Sequence, residues 1–145
     1  MKNRGLIVSC LLLILTMACS KDDACNTPFG VGGSFNLSFP EYSSLQNIGG
    51  AMTIYRDYFG YEVGYRGIFV RRVSLGEFVA FDCACPNDHE VRLTPLEGWE
   101  GAVVECPACG SMYETEYGQP LEGAASGCPL YQYNTHFDGY TLEIY

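Results

Sequence analysis

Histidine is nearly absent from this sequence: there are two among 145 residues, His89 and His136. A hydrolase pairing a nucleophile with a basic partner would have to use one of them, and no Gly-x-Ser-x-Gly, His-Glu-x-x-His or phosphate-binding glycine loop accompanies either. Cations are scarce too, eight Lys and Arg against 17 Asp and Glu. Beyond the Arg71-Arg72 pair no basic cluster occurs, which argues against nucleic acid and anionic lipid headgroups as partners, since both reward clustered Lys and Arg. The one long apolar run, residues 6–15, is too short to span a bilayer, which takes roughly 20 residues. No repeat or low-complexity segment stands out.

What surrounds that run gives it a role. Met1-Lys2-Asn3-Arg4 precede it, and Thr16-Met17-Ala18-Cys19 and the polar Ser20-Lys21-Asp22-Asp23 follow. This is the charged, apolar and small-residue order of a secretory signal. The junction resembles a lipobox, with Thr16 where an aliphatic residue is usual. It implies a signal peptide over 1–18, cleavage before Cys19, and lipid on Cys19 anchoring the protein to a membrane. The expected location is the cell envelope, as an outer-membrane lipoprotein facing the periplasm or the surface. The bland alternative is a buried helix over 6–15 with Cys19 an ordinary cysteine.

Removing 1–18 leaves 127 residues, the size of a single domain. All 17 acidic residues stay but only six cations do, a net charge of −11. Residues 19–33 carry Lys21-Asp22-Asp23 and Gly30-Val31-Gly32-Gly33, a composition that suits a flexible tether. The domain is expected over 34–145. Short stretches rich in aromatic and β-branched residues recur there between glycines, at 34–39, 51–55, 67–73, 77–81, 102–105, 111–115 and 140–145. That spacing predicts an all-β sandwich or barrel, with one short helix over 41–48 ended by Gly49-Gly50. Eleven tyrosines fit half-buried strand surfaces.

The chemistry lies in cysteine. Cys10 leaves with the signal and Cys19 is consumed by lipid, so six remain: Cys25, Cys83, Cys85, Cys106, Cys109 and Cys128. Four fall in two close pairs, Cys83-Ala84-Cys85-Pro86 and Cys106-Pro107-Ala108-Cys109-Gly110. A two-residue spacing followed by glycine lets a tight turn aim both sulfurs at one ion, so the second pair is a strong metal-knuckle signal. The C-x-C of the first pair is weaker by itself, being shared with redox-active and merely adjacent thiols.

With its surroundings the set resembles the Rieske iron–sulfur domain, whose pattern is C-x-H, a variable gap, then C-x-x-H followed by Gly-Ser and an aromatic residue. Here Phe78-Val79-Ala80-Phe81-Asp82 leads into Cys83-Ala84-Cys85-Pro86, and Cys109 is followed by Gly110-Ser111-Met112-Tyr113. Gly118, Gly127, Pro129-Leu130 and a closing strand at 140–145 look like the family's return to its base domain. The resemblance implies a small Rieske-like β fold with a two-loop metal-binding subdomain at about 83–113, a 2Fe-2S cluster and either electron transfer with a redox partner or a redox-sensing role, with no substrate chemistry of its own. It also implies an inner-iron pair of Cys83 and Cys106, with Cys85 and Cys109 on the outer iron. Positions 85 and 109 are histidine in the family and cysteine here. Four thiolates would lower the potential by something on the order of hundreds of millivolts relative to the histidine-ligated cluster.

Two other states suit the same residues. A structural zinc ion accepts four thiolates tetrahedrally, and thiols exported to an oxidising compartment form disulfides unless a metal arrives first. Lys2-Asn3-Arg4 lacks adjacent arginines, so export is expected as an unfolded chain, which would have to find its metal outside the cytoplasm. His89, four positions after Cys85, is a weak candidate ligand beside Asn87-Asp88, where a solvated turn is the simpler reading. His136 reads as a surface residue in a hairpin turn. Cys25 and Cys128 are left over: they form a disulfide that ties tether to domain, or Cys128 is buried and unpaired.

Overall fold

The computed structural model describes Cys25 and residues 27–145; the expected signal peptide and Cys19 lie outside the described residues. The fold is all-β, and every strand pairing is antiparallel. In chain order the strands are β1 (Gly33–Asn36), β2 (Ala51–Ile54), β3 (Ile68–Arg72), β4 (Phe78–Asp82), β5 (Thr94–Pro95), β6 (Val103–Glu105), β7 (Met112–Glu114), β8 (Gln132–Tyr133), β9 (Thr135–Phe137) and β10 (Thr141–Ile144). They form three sheets, ordered β1-β10-β9, β2-β3-β4-β8 and β5-β6-β7. The chain passes from the second sheet to the first across Asn134, which exchanges two backbone hydrogen bonds with Tyr145.

The alternation of side chains along a strand sorts the apolar residues into two cores. On β3, Ile68 and Val70 face one core while Phe69 faces the other; on β4, Phe78 and Ala80 face the first and Phe81 the second. These two strands therefore form a wall buried on both faces, which is why their sequences read as near-continuous apolar runs. Between the wall and the β1-β10-β9 sheet lie Phe35, Leu45, Leu142 and Ile144. On the opposite side, Val104 and Tyr113, paired across β6 and β7, cover a core that contains Cys83, Cys85 and Cys106.

Three sequence expectations need correction. The helix over 41–48 is a 3-10 helix, Pro40–Gln46. Proline sets its start, and the two residues it buries, Tyr42 and Leu45, stand three apart, as a three-residue turn requires. His136 sits on β9 opposite Glu143, exposed as expected, but the turn is at Gly139–Tyr140. Residues 27–33, whose composition reads as flexible, are docked: Phe29 stacks on Tyr131 at 4.6 Å, Gly30 N–H donates to Tyr133 Oη at 2.9 Å, and Val31 bridges to Gly64. Glycine serves close approach here rather than mobility. A Cβ on Gly30 would lie 2.0 Å from the Gly64 carbonyl carbon, and one on Gly32 would lie 1.8 Å from the Ile144 oxygen. Cys25, at the start of this segment, forms a disulfide with Cys128. Among the described residues no helix is long and apolar enough to cross a membrane.

Candidate metal centre

The first cysteine loop leaves the end of β4. Cys83 is still bound as a strand residue, its N–H donating to Gly67 O at 2.9 Å and its C=O accepting from Leu93 N–H at 2.7 Å. Beyond it the chain loops through Asn87-Asp88 and is closed by Cys85 N–H donating to Val91 O at 3.0 Å. The second loop joins β6 to β7. Cys106 N–H donates to Ser111 O and Gly110 N–H to Cys106 O, both at 2.9 Å. Gly110 has φ +70, a left-handed conformation that closes the knuckle at little steric cost.

Three of the four expected ligands meet. The sulfurs of Cys85, Cys106 and Cys109 all lie within 4.8 Å of one another, and Cys85 and Cys109 Sγ are 3.8 Å apart. Cys85 and Cys106 are buried and Cys109 is half-buried. Cys83 is not in the group, although like Cys85 and Cys106 it is buried in the second core. Nor is His89, whose carbonyl instead accepts from Arg66 Nε at 3.2 Å. The group in which three sulfurs meet does not include the pairing of Cys83 with Cys106 that the resemblance implies.

Environment separates the thiols. Burial, and then the charge of Asp82, push Cys83 up to about 12. Burial also pushes Cys85 up to about 12. Cys109 is lowered to about 7, first by the Ser111 hydroxyl 3.1 Å away. That hydroxyl oxygen accepts from Ala125 N–H at 2.8 Å, which leaves its proton free for sulfur. Tyr113 is fully buried, burial pushes its phenol well above the usual range, and its hydroxyl has no hydrogen-bond partner among the described residues. A buried O–H without a partner costs free energy.

Asp82 sets the first loop in place. Only 1% exposed, it accepts from Ala84 N–H at 2.9 Å, Tyr65 N–H at 2.5 Å, Arg66 N–H at 3.2 Å and Tyr133 Oη at 2.7 Å. Neither Asp82 nor Tyr133 stands out from spacing, though an acid closing an apolar strand just before the first cysteine is a readable signal.

Three converging sulfurs suit metal chemistry. Thiolate edges of a tetrahedral ion with bonds of about 2.3 Å are close to 4 Å long, the scale of the Cys85–Cys109 separation. Buried thiolates without a cation are unfavourable, so an ion would have to displace the Cys85 proton, and loading would release it. A 2Fe-2S cluster instead needs thiolates in two pairs set apart by its two irons. Three sulfurs gathered round one point, with Cys83 outside, do not fit that four-cysteine arrangement.

No protein-family model matches the sequence, and no curated protein matches it. Among solved structures, the chain is similar to the ferredoxin of carbazole 1,9a-dioxygenase from Nocardioides aromaticivorans IC177, with TM-score 0.48 and 17% identity over 79% of this chain and 96% of that one. It is also similar to a chain in a complex of reduced oxygenase and oxidized ferredoxin in carbazole 1,9a-dioxygenase, with TM-score 0.40 and 20% identity over 68% of this chain and 83% of that one.

Proposed function

We propose that this protein is an iron–thiolate electron carrier of Rieske-like fold, held at the cell envelope by lipid on Cys19 and exchanging electrons with a protein partner. The observation that carries it is the convergence of Cys85, Cys106 and Cys109 within 4.8 Å. Bound there, iron would supply a one-electron couple. The chain's own groups favour such a centre. Core residues Leu93, Val104 and Leu130 keep water from the buried sulfurs, Ser111 supports the charge on Cys109, and the half-buried Cys109 is the ligand closest to solvent.

Zinc is the second reading, favoured because three sulfurs surround one position rather than two. On that reading the domain is a non-catalytic module and the ion holds its two loops together. Anaerobic purification with assays for iron, zinc, acid-labile sulfide and visible absorption separates the two. Coloured protein containing iron supports the carrier, and sulfide in the ratio of a cluster would restore the two-iron assignment. Colourless protein with one zinc and no sulfide would overturn the carrier. The anchor has its own test: Cys19→Ala should release the protein from the membrane fraction, and unchanged partitioning would count against lipidation.

A further inference from the structure

Three of the five arginines in residues 19–145 line a single cleft of about 300 Å³, together with Tyr55, Glu62 and Tyr65. In so acidic a chain this gathering is unusual, and the three cations are not equivalent. Arg56 faces Glu62 at 3.5 Å, and Arg66 is paired with Glu90. Arg92 has no carboxylate partner among the described residues. Its Nε donates to Arg66 O at 2.7 Å and its guanidinium lies over the Tyr55 ring, 4.4 Å from the centroid. The plane of the fork is thereby fixed, while its two terminal nitrogens have no protein acceptor among the described residues. A guanidinium held in this way loses little freedom when it binds an anion through both nitrogens.

The geometry points to a binding site for a small polar oxyanion, a carboxylate or phosphate carried on a molecule about the size of one sugar ring, with Arg92 as the binding group. The volume suits a ligand of that size, and the side chains at the rim are guanidinium, carboxylate and phenol. Arg56 and Arg66 add positive potential, and because each is already paired their contribution is the smaller one. The cleft backs onto the first cysteine loop, since Arg92 bridges to Ala84 and Gly67 accepts from Cys83 N–H. Binding does not depend on the identity of any metal, so failure of one proposal leaves the other standing.

The test is an amide NMR titration of the purified chain, as isolated, with glucuronate, glucose 6-phosphate and glucose. One or both acidic sugars should saturate shifts at Gly64, Gly67 and Arg92, and which of them does so assigns carboxylate or phosphate. Glucose should shift nothing. Arg92→Gln should weaken binding by about tenfold or more, and raised salt should weaken it further. Arg56→Gln, at a side chain 64% exposed, leaves the fold intact and should weaken binding a few-fold. Silence from both acids, equal binding of glucose, or full affinity in a folded Arg92→Gln protein would overturn the proposal. Should Arg92→Gln fail to fold, salt-independent binding with unchanged affinity in Arg56→Gln would overturn it instead.

Discussion

Cys25 and Cys128 meet at the protein's edge as a disulfide across 103 residues of sequence, whereas Cys85, Cys106 and Cys109 meet in the second core as free thiols. The two groups are neighbours through the chain: Cys128 follows the segment whose Ala125 N–H binds Ser111, and Ser111 in turn contacts Cys109. They stabilise the domain by different physics. The disulfide acts on the unfolded chain, whose freedom it restricts whether or not anything is bound. The thiol group ties its two loops together only when a cation bridges the three sulfurs, since neutral thiols give little cross-linking of their own. One clasp is therefore unconditional and the other conditional.

The largest expected effect separates them directly. Replacing both Cys25 and Cys128 by serine should cost about 4 to 5 kcal/mol on the chain-entropy model for a loop of roughly 100 residues, read as the urea midpoint, while the folded fraction keeps its metal. Metal loss in step with the disulfide would show that the two clasps are one. Next, Cys109→Ser should weaken metal retention about a hundredfold or more, near 3 kcal/mol, with the disulfide intact; undiminished metal content would remove Cys109 from the ligand set. Smaller again is Tyr133→Phe, which deletes the hydroxyl that donates to Asp82 and accepts from Gly30 N–H. A loss of about 1 to 3 kcal/mol is expected, and an unchanged denaturation midpoint would mean that Asp82 is satisfied without it. Smallest is Cys83→Ala, at about 1 kcal/mol with metal content unaltered. Should that variant lose its metal, the four-cysteine set would be reinstated.

The parts of this arrangement that were legible in sequence are those with a strong local pattern. β3 and β4 could be read because both faces are covered at 68–70 and 78–81, which demands an unbroken apolar run in each. Cys106-x-x-Cys109-Gly could be read because the spacing and the left-handed Gly110 belong to one tight turn. The division between Cys83 and Cys85 could not. C-x-C spacing does not say where the strand stops, and Cys83 is still hydrogen-bonded as a strand residue while Cys85 already belongs to the loop. β5 and β8, two residues each, and β9, three, are too short to show any period. Glycines at 30 and 32 carry the same composition whether they loosen a tether or admit close packing, and only the partners Gly64 and Ile144 decide it.

The wall of β3 and β4 has one more consequence. Ile68 and Val70 on one face and Phe69 on the other are at most 2% exposed, so neither core can open at this strand without baring the other. The domain should therefore melt as one cooperative unit. Amide protons at 68–70 should be among the slowest to exchange with deuterated solvent, at a rate set by global opening. Through that strand, an ion bound among the thiols would slow exchange even in the sheet on the far side of the molecule.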